Sequence, residues 1–543
     1  MATSSYLAVA NQPPPLEGYD LFSQDTALVE ALRREGGAAR EEECVAFGQL
    51  CGGAPLELGR LANEHAPMLR AFDRFGERVD EVEFHPAWHE LMRIGVEHGL
   101  HAAPWVDPEP APHVARAARF LTLAYAEAGV GCPLSMTYSA VPALRTDPEL
   151  APDWEPGLTA RVYEPGLRSP AEKEGLLCGM ALTERQGGSD VRANETRAEP
   201  LGDGGYALTG EKWFCSAPMC DLFLVLAYAP GGLTCFVLPR VLPDGTRNGF
   251  QLRRLKDKLG NRSNASAELE LEGAWAVRLG DEGRGVATII DMVVHTRLDC
   301  ALGSTALMRR AVAEATHHAA HRAAFGRLLV EQPLHTNVLA DLCLDSEAAT
   351  ATALRLARAV DEGDDAFRRL ATTVAKYWVC KSTPPLVAEA LECIGGNGYV
   401  EESPLPRLFR ESPLLSLWEG AGNVNALDLL RAAAKEPESV DALLAEIDIA
   451  QGSDARLDAA AGRLREELVD PEELEHRARR VVELAALCLQ GSLLVRYAPA
   501  EVADAFCATR LGDAGGRAYG TLPRGTDCAA IVERHRPKLE ASG

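Results

Sequence analysis

Apolar positions recur at helical spacing through the first third of the chain, as in residues 26–34 and 114–129, with Pro and Gly punctuating the connections. From about residue 176 to 279 the texture changes. Residues 206–210, 222–228, 233–238 and 267–271 are short, turn-bounded and partly alternating, which predicts strands. Asp203-Gly204-Gly205 predicts a hairpin turn ahead of the first of these runs. After Gly285 the helical pattern returns over residues 286–322, 334–362, 365–393 and 424–434. A further helical stretch follows Glu436 to about Arg510, and then a Gly-rich tail. The pattern predicts a mainly α chain with an inserted β domain. Residues 1–175 form a helical part, 176–280 the β part, 281–436 a second helical part and 437–543 a helical extension.

The 543 residues are 47% hydrophobic, enough for several domains or one large body with an insert. No apolar run is long enough to predict a membrane span. Met1-Ala2-Thr3-Ser4-Ser5 lacks the basic-then-apolar order of an export signal, and the 14 cysteines include no Cys-x-x-Cys pair. Both point to reduced thiols and a cytoplasmic setting. The net charge of −24 argues against a nonspecific grip on nucleic acid, which needs clustered Lys and Arg.

Chemistry-bearing residues concentrate between Met180 and Asn423. Thr183-Glu184-Arg185-Gln186-Gly187-Gly188-Ser189-Asp190 combines short hydroxyls, glycines and backbone amides after an apolar strand. That composition suits a polar heteroaromatic ring or a phosphate, or a plain strand-ending loop. Gly210-Glu211-Lys212-Trp213-Phe214-Cys215-Ser216 places aromatics beside a hydroxyl, as a flat cofactor requires; a core strand is the alternative. Arg322-Ala323-Ala324-Phe325-Gly326 offers a planar fork for phosphate, or an ordinary surface arginine. Gly395-Gly396-Asn397-Gly398 follows the predicted helix 365–393, and Trp418-Glu419-Gly420 precedes the helix 424–434. A carboxylate in apolar surroundings is a candidate for a tuned general base; on Glu-Gly alone, a solvated partner of the helix dipole is the favoured reading.

In this order the blocks resemble the flavin-dependent acyl-CoA dehydrogenase family: Thr-Glu-x-x-x-Gly-Ser-Asp, Gly-x-Lys-x-x-x-Ser, Arg-x-x-Phe-Gly, Gly-Gly-Asn-Gly and Glu-Gly stand collinear between Thr183 and Gly420. The run Leu255-Lys256-Asp257-Lys258-Leu259-Gly260-Asn261-Arg262-Ser263-Asn264-Ala265-Ser266 is similar to the alkylation-response, AidB-like branch. So are Asn11-Gln12-Pro13, Glu401-Glu402-Ser403 and the C-terminal extension.

The resemblance implies a helical N-terminal domain, a central β barrel or sandwich and a C-terminal four-helix bundle, assembled as a homotetramer that binds FAD. It implies that Leu182, Thr183 and Ser189 contact the flavin end, that Phe214 lies beside the ring and that Ser216 donates to it. Arg322 and Phe325 meet the pyrophosphate and adenine across a subunit interface. Gly395 and Gly396 admit phosphates close to the backbone, and Asn423 lies near the adenosine half. Glu419 takes the base position for an acyl-CoA-like substrate, and Arg297 the substrate-facing position on an earlier helix, where the preceding Thr296 is no base. The electron acceptor is left open. Phe214 stands where a Trp is common, Glu392 for Gln and Ala421 for Thr.

Relatives in the AidB-like branch are associated with duplex DNA through the C-terminal region. Here Arg477, Arg479 and Arg480 stand beside Glu472, Glu473 and Glu475, which reads as a solvated helix face with local ion pairs. A DNA-binding flavoprotein that protects against alkylation damage is the alternative function. His317 and His321, and His85 and His89, have the i, i+4 spacing of metal ligands but no third ligand, so no metal is expected.

Overall fold

The structure, a computed structural model, describes residues 10–107, 110–202 and 204–539. Two compact units form. One comprises Ala54–Pro112 and Ala126–Asp299; the other gathers the described residues up to Gly53, His113–Tyr125 and the chain from Cys300 onward.

The first unit holds the strands. A hairpin pairs β1 (Met68–Phe72) with β2 (Arg78–Glu83). The main sheet runs β3 (Cys178–Ala181), β4 (Arg197–Pro200), β5 (Tyr206–Ser216), β6 (Leu222–Ala229), β7 (Gly232–Pro239), β8 (Phe250–Leu255) and β9 (Ser266–Leu279) in chain order. Neighbours in space are β3-β6-β4-β5-β9-β7, with β8 also on β9. Because β6 also pairs with β7, the path β6-β4-β5-β9-β7 closes on itself as a barrel, which leaves fewer open edges. β6 is apolar at nearly every position and buried on both faces, whereas β5 buries only Leu208, Lys212 and Cys215. β5 is bulged against β9 between Lys212 and Cys215. The bulge releases Phe214 to bridge Thr183 and keeps Lys212 pointing inward.

The second unit is helical. Thr26–Arg34 begins with Asp25 accepting from Leu28 N and buries Ala27, Leu28, Ala31 and Leu32 along one stripe. Pro333–Asp361, Asp365–Ile394 and Gly422–Lys435 form the core, against which Leu474–Tyr497 packs. Asp365–Ile394 continues through Pro384 and Pro385, while Ser382 and Thr383 hydroxyls donate back to the Trp378 and Val379 carbonyls.

The helices predicted up to Lys435 stand within a few residues of their expected bounds, but β5 and β9 run six and eight residues past theirs and the stretch after Glu436 divides into several helices; β4 and β5 form the expected hairpin with Pro200 opposite Tyr206. Asp203 of its turn lies outside the described residues. The β1–β2 hairpin was not foreseen in the helical N-terminal part. Its strands are short and mostly half-buried, and its turn rests on Asp73 Oδ1 accepting from Phe75 and Glu77 N. The Gly-rich tail also contains a helix, Cys528–His535, capped by Asp527 and anchored by Arg534 and His535 to the buried Glu347. No helix among the described residues is long and apolar enough to cross a membrane. All fourteen cysteines are free thiols.

Candidate active site

In the first unit, β3 delivers Leu182, Thr183 and Glu184 beside the bulge of β5. Thr183 O accepts from Trp213 N at 2.8 Å and Asn194 Nδ2 donates to Leu182 O at 3.0 Å. Glu184 and Lys212 form a buried ion pair of 2.7 Å. The same carboxylate accepts from Thr196 Oγ1, Glu195 N and Gln186 Nε2, and the ammonium also donates to Leu226 O. Burial pushes the Glu184 carboxyl up, but Lys212 and these donors outweigh it and hold the group below its ordinary value. This pair is the physical link between the Thr-Glu and Gly-x-Lys motifs. Sequence reasoning missed it, since nothing in the sequence joins two residues 28 apart.

The turn from Glu184 to Gly187 closes with reciprocal backbone bonds, and a side chain at Gly187 would meet Asp190 O at 2.6 Å. Phe214 and Ser216 stand on β5, and Thr183, just past the end of β3, bridges to Phe214. Phe214 is 49% exposed, with Lys256 Nζ 4.5 Å from its centroid and 3.5 Å from that of Trp213. Ser189 is exposed on the outer part of the turn. Arg297 is buried on the helix Gly285–His321, and Thr296 spends its hydroxyl on the Met292 and Val293 carbonyls.

In the second unit, Arg322 opens a tight hairpin, Ala323–Ala324 against Arg327–Leu328, whose tip residues Phe325 and Gly326 both have positive φ. Arg322 Nη1 donates to Asn11 O at 2.6 Å, and the Asn11 amide brackets Ala323 through N and O. Asn397 of the Gly-Gly-Asn-Gly turn donates to Gln12 Oε1 at 3.2 Å. The Asn11-Gln12 segment therefore ties together two of the motifs. Gly395 (φ +72°) ends the helix Asp365–Ile394, and open space surrounds the places where Gly395 and Gly396 would carry side chains.

Glu419 sits half-buried in the turn before Gly422–Lys435, in the left-handed region at φ +54°. The next carbonyl, Gly420 O, accepts from Lys376 Nζ and Asn425 Nδ2, both at 2.5 Å; Lys376 also reaches Ser416 O. Lys376 and Asn425 are fully buried. The turn is therefore gripped from inside. Asn423 lies on the exposed side, where Arg479 of Leu474–Tyr497 donates to its Oδ1 at 2.8 Å. Arg477 and Arg480 pair with Glu467. His317 donates to Pro14 O and His321 to His317 O, and His85 caps the helix Pro86–Glu97 by accepting from Ala87 N.

This layout has known counterparts. The AidB N-terminal domain matches residues 11–165, the acyl-CoA dehydrogenase middle domain 179–274 and the acyl-CoA dehydrogenase C-terminal domain 283–434. The putative acyl-CoA dehydrogenase AidB of Escherichia coli (strain K12) is 46% identical over 515 residues, covering 94% of this chain and 95% of that protein. Acyl-CoA dehydrogenase family member 11 of Caenorhabditis elegans is 35% identical, covering 71% and 65%. The crystal structure of Caenorhabditis elegans ACDH-11 in complex with C11-CoA has a TM-score of 0.85 and 29% identity, covering 94% of each chain. The chain belongs to the acyl-CoA dehydrogenase family, an oxidoreductase class whose members are FAD-dependent, and carries the AidB type of N-terminal domain.

Proposed function

We propose that this protein binds FAD and oxidises an acyl-CoA-like thioester, with Glu419 as the base. The observation that carries the reading is the Glu419 turn: a carboxylate held at positive φ on a loop fixed from behind by Lys376 and Asn425. Rigid placement of the base is what proton abstraction needs, since efficiency depends on a near-attack geometry. Glu419 takes the proton from the carbon next to the thioester carbonyl, and its backbone N–H polarises that carbonyl. Bound FAD would supply the hydride acceptor.

The residues fit that cofactor. The exposed Phe214 ring and the Ser216 and Thr183 hydroxyls suit a flat polar ring, and the open backbone at Gly395 and Gly396 suits phosphates beside Arg322. Asn264, in the AidB-like run, is buried with both side-chain polar atoms unpartnered, as a group awaiting a polar ligand or water would be. Phe325, 98% exposed, and Tyr399, 79% exposed, support assembly with further copies of the chain as a homotetramer. The C11-CoA complex of the nematode relative supports a CoA thioester as substrate class.

The purified protein is expected to be yellow and to bleach anaerobically with a suitable acyl-CoA. Glu419→Gln should keep the colour and slow bleaching by about a thousandfold. Unchanged bleaching overturns the base assignment; a colourless protein that takes up no FAD overturns the whole reading. Duplex DNA as the principal ligand is the second reading, supported by the likeness to AidB. The pairing of Arg477 and Arg480 with Glu467 weighs against it, because paired arginines release fewer counterions. Salt-dependent retention of duplex DNA by the intact protein would restore it.

A further inference from the structure

Apart from Asn264, the run Leu255–Ser266 has had no role so far, yet it is densely hydrogen-bonded. Asn261, Ser263, Asn264 and Ser266 are all buried, and Asn261 adopts φ +53°. Ser263 Oγ donates to Glu127 Oε1 at 2.7 Å, and Glu127 also accepts from Asn63 and from Val130 N. Inside this knot Lys258 Nζ reaches Asn264 O at 2.7 Å, Ser266 Oγ at 3.1 Å and Asn261 Oδ1 at 3.4 Å. Ser266 is the register partner of Ser216 across β5 and β9, and their hydroxyls lie 3.4 Å apart.

A hydroxyl pair has no inherent direction: either oxygen can donate to the other. An ammonium biases that freedom, because it only donates, and its charge makes the hydroxyl it binds the better donor to the next oxygen. With its oxygen accepting from Lys258, Ser266 has one proton left, and Ser216 Oγ is the acceptor in reach. Ser216 then accepts from Ser266 and must send its own proton elsewhere. Ser266 is the buried end of the pair and Ser216 the half-exposed end, so the chain runs from the interior to the surface.

We propose that Lys258 is a positioning residue that fixes the direction of the Ser266–Ser216 hydroxyl pair, so that Ser216 presents a proton outward to an acceptor on the flavin ring. The inference rests on the FAD reading above and deepens it. It also gives the AidB-like run a role: its buried polar knot holds the cation at the head of the relay.

The test is FAD affinity of the full-length protein, measured by fluorescence titration after removal of bound flavin, for Ser216→Ala, Ser266→Ala, Lys258→Met and the double variants. Each single variant should weaken binding about fivefold, the worth of one hydrogen bond. Neither Lys258→Met nor Ser266→Ala should weaken it further in the Ser216→Ala background, because all three act on one bond. Lys258→Arg, which also only donates, should restore most of the affinity. Additive losses overturn the proposal and leave the FAD reading standing, as does a Ser216→Ala variant with unchanged affinity. If Lys258→Met fails to fold, the Ser266→Ala and Ser216→Ala pair decides by the same additivity. A wild-type protein that takes up no FAD overturns the functional reading and this inference together.

Discussion

Lys212 and Lys376 are equally hidden from water, each about 1% exposed, yet they keep different company. Lys212 faces a carboxylate, Glu184, with hydrogen bonds completing both partners. Lys376 faces the backbone carbonyls of Ser416 and Gly420. A buried ion pair is costly to break, because the surviving partner keeps its charge without compensation. A lysine on carbonyls leaves only neutral dipoles behind when removed. The first arrangement is a stability device that locks the segment after β3 onto β5 of the barrel. The second holds one loop in place. Glu419, the proposed base, sits on that loop, so on that proposal the same residue type serves the fold in one unit and the chemistry in the other.

The comparison breaks first on Lys212. Lys212→Met should cost about 3–5 kcal/mol in denaturant unfolding, because Glu184 stays buried and charged. The double variant with Glu184→Gln should recover part of that loss. If Lys212→Met costs under about 1 kcal/mol, the pair is not the lock described. Lys376→Met should cost less stability, about 1–3 kcal/mol, but slow acyl-CoA bleaching by about a hundredfold through misplacement of Glu419. A stability loss with unchanged bleaching would show that the grip on Gly420 O does not position the base.

Acid sharpens the same contrast. Glu184 is held below its ordinary value of 4.5, chiefly by Lys212 working against burial. A depressed carboxylate contributes stability above that ordinary value and loses it as pH falls through the lower, folded-state value. Wild-type stability should therefore decline on acidification below 4.5, and Glu184→Gln should flatten that slope by up to one proton. The same variant should leave the shape of the acid limb due to other groups unchanged, which unfolding across a pH series measures.

Much of this was legible in the residues. The order of helices, strands and helices followed from apolar spacing, and Gly420 beside Glu419 marked a turn correctly. The Glu184–Lys212 pair was not legible, because residues 28 apart meet only through the β3–β6 pairing and the bulge in β5. Lys376 was hidden for another reason: one lysine in an otherwise buried helical stripe has no pattern of its own until the loop beneath it is placed. The β1–β2 hairpin escaped because its five- and six-residue strands bury too little to impose alternation.

The smallest effect concerns backbone strain, and it again separates the two regions. Glu419 and Ala217, the residue after Ser216, both adopt positive φ without being glycine, at +54° and +50°. Each carries a conformational cost of about 1 kcal/mol or more that glycine would not. Glu419 is half-buried, so Glu419→Gly should raise stability by up to about 1 kcal/mol while abolishing bleaching. Ala217 is fully buried, and losing its methyl costs about 0.8 kcal/mol, so Ala217→Gly should leave stability nearly unchanged. Denaturant midpoints of the two variants decide. A stabilised Glu419→Gly beside a neutral Ala217→Gly would mean that the base turn stores strain for the sake of its carboxylate, whereas the Ser216 turn is offset locally by packing. A Glu419→Gly variant no more stable than wild type would mean that the positive φ is matched by contacts of the glutamate itself.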